Sequence, residues 1–449
     1  MAKAFNTSAT VDLPQFREIT DPKALADKLQ AFMRPHIRID SCKIDRIRFR
    51  PGGSCRFLIK AKVCYNGQKS CKDQIFFGWL FDSRKHQERF LSLLSENLTP
   101  LEHFPPAIII PEWRFIVLAY PNDPALPGLP FLSNNERVLD YAKKSPETVG
   151  LPTKPVEARS EMIKYIPFKR GCFLMHFDTN LPGSNKSTSV FNVFAKAYGA
   201  GKVKKVFTIM QNVWESDARK NGNLILPHPF SYDSENGVIW QEALSGQPLS
   251  KVASDIDNLP ELAKEIGFRL AALHGSSIDM PVKMNLDFQL NKITEYAAAI
   301  AKTQPQFSEN CDNLVNRLLD YAQKLNSNRL TPVHASFKFS HIFLTNKGVA
   351  FIDFDGANMG DPGEDLGRFV AYVRQMVIDK KFDERVAEET ITNFCEAYNQ
   401  AAITPVNQAH IDWFTASHLL VSHIYKSVKR LNIKRIERQL QIANQLCPV

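Results

Sequence analysis

VHASFKFSHIFLTNKGVAFIDFDGANMGDPGEDLGRF, residues Val333 to Phe369, holds most of what the sequence says about chemistry. Near its centre the apolar run from Val349 to Ile352 ends on Asp353. A carboxylate that closes an apolar strand needs a cation or hydrogen-bond donors to meet it. Asp355, two positions on, lies on the same face of an extended chain. It either touches the same metal or caps a turn. Asp361 and Asp365 in GDPGED are expected to cap and brace the helix that follows. Upstream, His334, Ser336, Lys338 and His341 fall within eight residues of one another.

Around this stretch the texture is helical. Leu262 to Leu273, Tyr296 to Ala301, Leu314 to Leu325 and Ala387 to Tyr398 have helical spacing. Short β-like runs around His334, Ile342 to Leu344 and Val349 to Ile352 interrupt them. A mostly helical lobe is therefore expected from about residue 246 to 449.

Before it the sequence is β-rich and repeats itself. RFRPGGSCRFLIKAKV (Arg48 to Val63) and QIFFGWLFDSRKHQERFLSLL (Gln74 to Leu94) find counterparts in KYIPFKRGCFLMHF (Lys164 to Phe177) and VFNVFAKAYGAGKVKKVFTIM (Val190 to Met210). Each copy reads as a pair of strands followed by a basic amphipathic helix. Pro51 to Trp79 spans 28 positions and Pro167 to Lys196 spans 29. Further on, Phe104 to Leu129 parallels Leu226 to Leu249. The domains expected are residues 1–133, a first β-lobe; 134–160, a proline-marked linker; 161–245, a second β-lobe; and 246–449, the helical lobe.

These segments resemble the aminoglycoside phosphotransferase family, relatives of the protein kinases. That family carries H-G-D-x-x-x-x-N, a hairpin, I-D-F/W-D/E and then G-D-P-x-x-D-L. IDFDGANMGDPGEDLG (Ile352 to Gly367) is close to the latter part. GFRLAALHGSS (Gly267 to Ser277) looks like the helix before the catalytic loop, and WQEALSGQPL (Trp240 to Leu249) like the hinge between lobes. The resemblance implies an α+β, protein-kinase-like bilobal fold, here preceded by a degenerate extra N-lobe-like domain. It implies ATP and Mg²⁺ as cofactors, with Lys196 on the phosphates and Gln241, Glu242 and Leu244 at the nucleotide. Asp353, with Asp355 and His341 as further candidates, would hold the metal. Lys338 matches a lysine that contacts the γ-phosphate in protein kinases, and His334 a structural histidine of the catalytic loop.

Two positions depart from the pattern. Ser336 stands where the family has the aspartate that accepts the substrate proton, and serine does not do this near neutral pH. His341 stands where the family has asparagine, and imidazole is a poor ligand for a hard cation; hydrogen bonding or packing is an equal reading for it. Phosphoryl transfer depends mainly on positioning and charge neutralisation. The retained Lys196, Lys338 and Asp353 tip the reading toward an enzyme, a slow or atypical ATP/Mg²⁺-dependent phosphotransferase acting on a small hydroxylated or amino-bearing acceptor. A nucleotide-binding pseudokinase with a regulatory or scaffold role is the alternative. At the position of Lys196 the first copy has Trp79, so that lobe is expected to be structural or to serve recognition.

Composition sets outer bounds. A chain of 449 residues with 44% hydrophobic and 23% charged residues reads as a multi-domain globular protein. No signal-peptide pattern opens it and no apolar run reaches the ~18 residues of a membrane span, so a cytoplasmic location is expected. Its eight cysteines include no C-x-x-C pair and read as free thiols. Much of the net charge of +9 lies in KSVKRLNIKRIERQL (Lys426 to Leu440), expected as one amphipathic terminal helix. Without aromatic interleaving this argues against nucleic acid as a partner.

Overall fold

In the computed structural model, residues 13, 15–50, 54–65, 70–94, 98–180, 188–254, 258–325, 330–430 and 432–448 are described. The chain divides into two compact units. The first comprises Met1–Val203, Tyr232–Trp240 and Val428–Leu431; the second comprises Lys204–Ser231, Gln241–Ser427 and Asn432–Val449.

The first unit is built on two antiparallel sheets. Strands β1 (Ile37–Phe49), β2 (Cys55–Tyr65), β3 (Lys72–Leu80), β4 (Ala107–Ile110) and β5 (Phe115–Ala119) lie in the order β1-β2-β3-β5-β4. Strands β6 (Pro155–Ile166), β7 (Arg170–Asn180), β8 (Thr188–Ala197), β9 (Pro229–Asp233) and β10 (Val238–Glu242) repeat that order as β6-β7-β8-β10-β9. Each copy has three long strands before its helix, one more than periodicity suggests. The extra strand is β1 in the first copy, where IRIDSCKIDRIRF alternates buried and exposed residues only in part.

Alternation places Phe57, Phe76 and Phe115 on one face of the first sheet, where Phe16 and the helix Pro22–Gln30 cover them. Phe77, Trp79 and Phe81 point to the other face, toward Phe90 of the helix Arg84–Leu94. The registers align the copies: Trp79 lies opposite Arg56, and Lys196 opposite Cys172.

Residues 134–160 are more ordered than a linker. Asn134 caps the helix Asn135–Lys144 through the Arg137 amide, Val138 and Ala142 are buried, and Pro155 opens β6. Two of the prolines taken as linker marks, Pro146 and Pro155, sit at element starts, where a missing N–H costs nothing, while Pro152 lies in the bend between them. The cysteine reading also needs correction: Cys64 and Cys71 form a disulfide, while the other six are buried free thiols.

In the second unit, the helices Leu259–His274, Leu286–Thr303 and Glu384–Ala401 contain three of the helical patterns read from the sequence, and Ser308–Ala322 takes in the fourth except for its last three residues. Leu259–His274 and Glu384–Ala401 cross closely because Gly267 has no side chain. A Cβ there would lie 2.4 Å from the Phe394 carbonyl oxygen. Gly363 and Gly367 of the GDPGEDLG stretch likewise make room for Phe414. The basic terminal segment is not one helix. It comprises Tyr425–Lys429, a 3-10 turn Ile433–Arg435 and Ile436–Leu446, with the Asn432 amide bonded back to the Ser427 carbonyl. Among the described residues no helix is long and apolar enough to cross a membrane.

Candidate functional site

The loop Val333–His341 and the turn at Asp353 are brought together by two short ladders. β12 (Thr331–Val333) pairs with β15 (Asn358–Gly360), and β13 (Ile342–Thr345) forms a hairpin with β14 (Gly348–Phe351). Asp353 follows β14 with φ 69° and ψ 52°, and Ala335 has φ 56°. Left-handed backbone is uncommon outside glycine and marks places where the surroundings over-determine the chain.

His334 is fully buried. Its backbone N–H donates to Asp365 Oδ2 at 2.6 Å and its Nε2–H to the Ile352 carbonyl at 2.9 Å. A carbonyl only accepts, so Nε2 carries the hydrogen and Nδ1 is bare in the neutral ring. His341 repeats this arrangement. Its Nε2 lies 3.0 Å from Asp353 Oδ2 and donates to that carboxylate, which leaves its own Nδ1 bare. Ser336 Oγ stands 3.2 Å from both bare nitrogens. One hydroxyl proton therefore serves two acceptors, one at a time. Burial holds His341 down to about 3, against the pull of Asp353, and burial also lowers His334. Both rings are neutral near pH 7.

Behind this chain stands a second shell that sequence reading missed. Asp365 is completely buried and takes His274 Nε2 at 3.2 Å as well as the His334 amide. His274 Nδ1 meets the Tyr398 hydroxyl at 2.9 Å. Asp365 thus braces the loop Val333–His341 rather than its own helix, while Asp361 accepts from the Gly363 amide at 2.7 Å and from His410 at 2.8 Å. HGSS (His274 to Ser277) was the available signal for His274; Tyr398, more than 120 residues away, had none.

A cavity of about 140 Å³ adjoins the loop, lined among others by Ala335, Gly356, Asn358, Asp361, Glu364 and Lys292. Burial pushes Glu364 up, but His418 and Arg368 outweigh it and hold the carboxyl well below its usual range. Burial lowers Lys292, whose ammonium lies 4.0 Å over the Phe288 ring. Asn358 Oδ1 is buried without a hydrogen-bond partner.

The other expected residues are placed as follows. Lys196 is 4% exposed in β8. Gln241 is buried at the end of β10, with Oε1 unsatisfied. Glu242 and Leu244 line a cavity of about 470 Å³ with Trp214, Arg219 and Lys347. Lys338 is half-buried at the start of the 3-10 turn Phe339–His341.

The donor set bears on Mg²⁺. Among the described residues no three His, Cys, Asp or Glu side chains group as a metal cage. Mg²⁺ needs no such cage, since it is held by one or two carboxylates together with waters and phosphate oxygens. Asp353 and Asp355 fit that pattern. His341 does not, because its Nε2–H already points at Asp353 and its bare nitrogen faces Ser336.

Residues 198–403 match the phosphotransferase enzyme family. The match takes in the loop Val333–His341, the Asp353 turn and GDPGEDLG, shows the resemblance read from them, and begins two residues after Lys196. No curated protein sequence matches the chain. Among solved structures, the choline kinase LicA from Streptococcus pneumoniae is similar at 12% identity, over 64% of this chain and 93% of that one, with a TM-score of 0.42. A choline kinase from Cryptosporidium parvum is similar at 15% identity, over 69% and 96%, with a TM-score of 0.46. An ADP-bound aminoglycoside phosphotransferase, APH(2'')-Ib, is similar at 14% identity, over 70% and 99%, with a TM-score of 0.43.

Proposed function

We propose that the chain is an ATP- and Mg²⁺-dependent phosphotransferase acting on a small hydroxylated or amino-bearing acceptor. In this reading residues 161–245 and 246–449 form the catalytic module, and 1–133 is an added lobe. The observation that carries it is the left-handed turn that sets Asp353 beside the loop His334–His341, next to a cavity bounded by Ala335 and Gly356. Bound Mg²⁺ would neutralise phosphate charge, and Asp353 and Asp355 are the residues to hold it. Lys196 meets nucleotide phosphates and Lys338 the transferred group. The cavity takes the acceptor, with Glu364 and Asp361 suited to an amino or hydroxyl group.

A second reading has its own observation. Ser336 donates its only proton to imidazoles and offers no carboxylate to an acceptor hydroxyl. A nucleotide-binding pseudokinase follows if that base is indispensable.

A melting series on wild type, Asp353→Ala and Lys196→Ala, with ATP alone and ATP plus Mg²⁺, tests the nucleotide site that both readings share. Binding at 100 times the dissociation constant stabilises by about 2.7 kcal/mol. Asp353→Ala should remove the Mg²⁺-dependent part of the shift, and Lys196→Ala should weaken binding even without metal. ADP release in an acceptor screen then separates enzyme from pseudokinase. A wild type with no shift at millimolar ATP under either condition sinks both.

A further inference from the structure

The first β-lobe carries charge that the phosphotransferase reading does not use. Across its sheet, Arg48 pairs with Arg56, Arg56 with Trp79 and Trp79 with Ile116. Two residues along, on the same face, Arg46 pairs with Leu58 and Leu58 with Phe77. Like charges directly opposite on neighbouring strands destabilise a sheet. Here two arginines face each other and a third flanks them. The Arg56 guanidinium lies 4.1 Å over the Trp79 ring and 5.5 Å from that of Phe168. Arg46, Arg48 and Arg56 line one cavity with Leu58, Phe77 and Pro167.

More positive charge faces the same place. Partial burial lowers Arg48, which still reaches solvent, and Arg46, Arg430 and Arg56 lower it further. Burial lowers Lys429, with Arg48, Lys169, Arg56 and Arg50 adding to it. The nearby acid is Asp123, whose carboxylate already accepts from the Tyr165 hydroxyl and from the Phe168 and Ala125 amides. Among the described residues, Arg46, Arg48, Arg50 and Arg56 make no ion pair, whereas three basic residues farther along these strands do. Arg38 pairs with Asp40, Lys60 with Asp45 and Lys62 with Asp73. Unneutralised charge is thus densest at one end of the sheet, where the four arginines gather, which suits one compact anion rather than a polymer laid along it.

We propose that this end of β1–β3 binds the phosphate group of a phosphorylated small molecule, with Arg46, Arg48 and Arg56 as donors and Leu58, Phe77 and Pro167 as apolar walls. Guanidinium forks match phosphate oxygens in pairs, and a dianion removes the repulsion among the three. The equivalent row of the second sheet is Lys164–Cys172–Lys196. Trp79 therefore does not abolish the cation of this row; the charge has moved one strand over, to Arg56. The proposal is independent of the phosphotransferase reading.

The test is titration calorimetry on the full chain with phenyl phosphate and with inorganic phosphate, at constant ionic strength, with benzyl alcohol as the uncharged control. Wild type should bind both phosphates, phenyl phosphate more tightly, and not the alcohol. Arg48→Gln and Arg56→Gln should each weaken binding by about tenfold or more, Arg48→Lys by less, and Lys62→Gln, at the far end of the same sheet, should leave it unchanged. Arg48 is exposed, so Arg48→Gln should fold and, without ligand, melt no lower than wild type. Absent binding by wild type, equal binding by Arg48→Gln, or an equal loss in Lys62→Gln would each overturn the assignment.

Discussion

Replacing Ser336 interrogates the candidate site most directly, because one hydroxyl holds two buried rings in register. In Ser336→Ala, the Nδ1 atoms of His334 and His341 both lose the proton they share across 3.2 Å. One hydrogen bond is lost, and a buried acceptor that was satisfied part of the time is never satisfied. The first effect is worth roughly 1 kcal/mol and the second about 1–3 kcal/mol. A total of about 2 kcal/mol is expected, read as a lower denaturant midpoint at pH 7.5 with an unchanged slope. Ser336→Asp should behave differently. The carboxylate brings two acceptors to two bare nitrogens, so it is satisfied only as the imidazoles take protons. Its deficit against wild type should therefore be largest near pH 8 and shrink toward pH 6. Adding His341→Asn supplies an amide donor, so the double variant should recover much of the deficit of Ser336→Asp. It should also release ADP with an acceptor at least as fast as wild type, since it restores the family's carboxylate and amide. If Ser336→Ala lies within about 0.5 kcal/mol of wild type, and the Ser336→Asp deficit does not change with pH, the hydroxyl does not bridge the rings and the reasoning fails.

Gly267→Ala should cost about 2 kcal/mol, because its Cβ would enter the Phe394 carbonyl at 2.4 Å and the gain in helix propensity offsets only part of that. Gly356→Ala, whose Cβ meets nothing within 4 Å, is the control; equal melting temperatures for the two variants would contradict the close helix crossing. Acidification from pH 6.5 to 5 should destabilise the protein. Burial lowers His334, His341 and His418 in the fold, so the unfolded chain binds more protons in this window and stability falls as pH falls. Each such histidine contributes a slope of about 1.4 kcal/mol per pH unit below its unfolded value near 6.5. Urea titrations at pH 7, 6 and 5 should show it, and His341→Asn should flatten the slope by one histidine's share; a flat profile in wild type would count against neutral buried rings.

What was legible in the sequence followed from local pattern. Alternating apolar residues and proline-marked turns exposed the two β-lobes, and 3.6-residue spacing exposed four helices. IDFDGANMGDPGEDLG singled out Asp353, which the fold sets beside the loop His334–His341. Several features escaped because they depend on partners far along the chain. Asp365 looks like a helix cap in sequence, yet its carboxylate reaches the His334 amide and His274. The terminal basic stripe looks continuous, but the chain turns at Asn432. Residues 134–160 look like a linker because prolines at element starts and prolines in loops read alike without coordinates. The Cys64–Cys71 bridge closes a seven-residue separation that no metal or redox motif flags.

Ser336 and His341 stood out in the sequence as two separate losses, a missing base and a missing metal ligand. Their geometry makes them one change. A carboxylate and an amide are an acceptor and a donor; a hydroxyl and a bare imidazole nitrogen are a donor and an acceptor, here 3.2 Å apart. His341 beside a carboxylate would leave two acceptors facing each other, at a cost of about 1–3 kcal/mol, whereas the hydroxyl donates to the imidazole nitrogen and the pair is satisfied. His341 also turns its other nitrogen to Asp353, so the carboxylate at the proposed metal position is oriented by this loop and not by chance. A loop decaying without function has no reason to keep that complementarity, nor a left-handed residue at Asp353 and another at Ala335. The Ser336 and His341 double-variant cycle measures that coupling directly: an interaction energy near zero between the two positions would return them to independent losses.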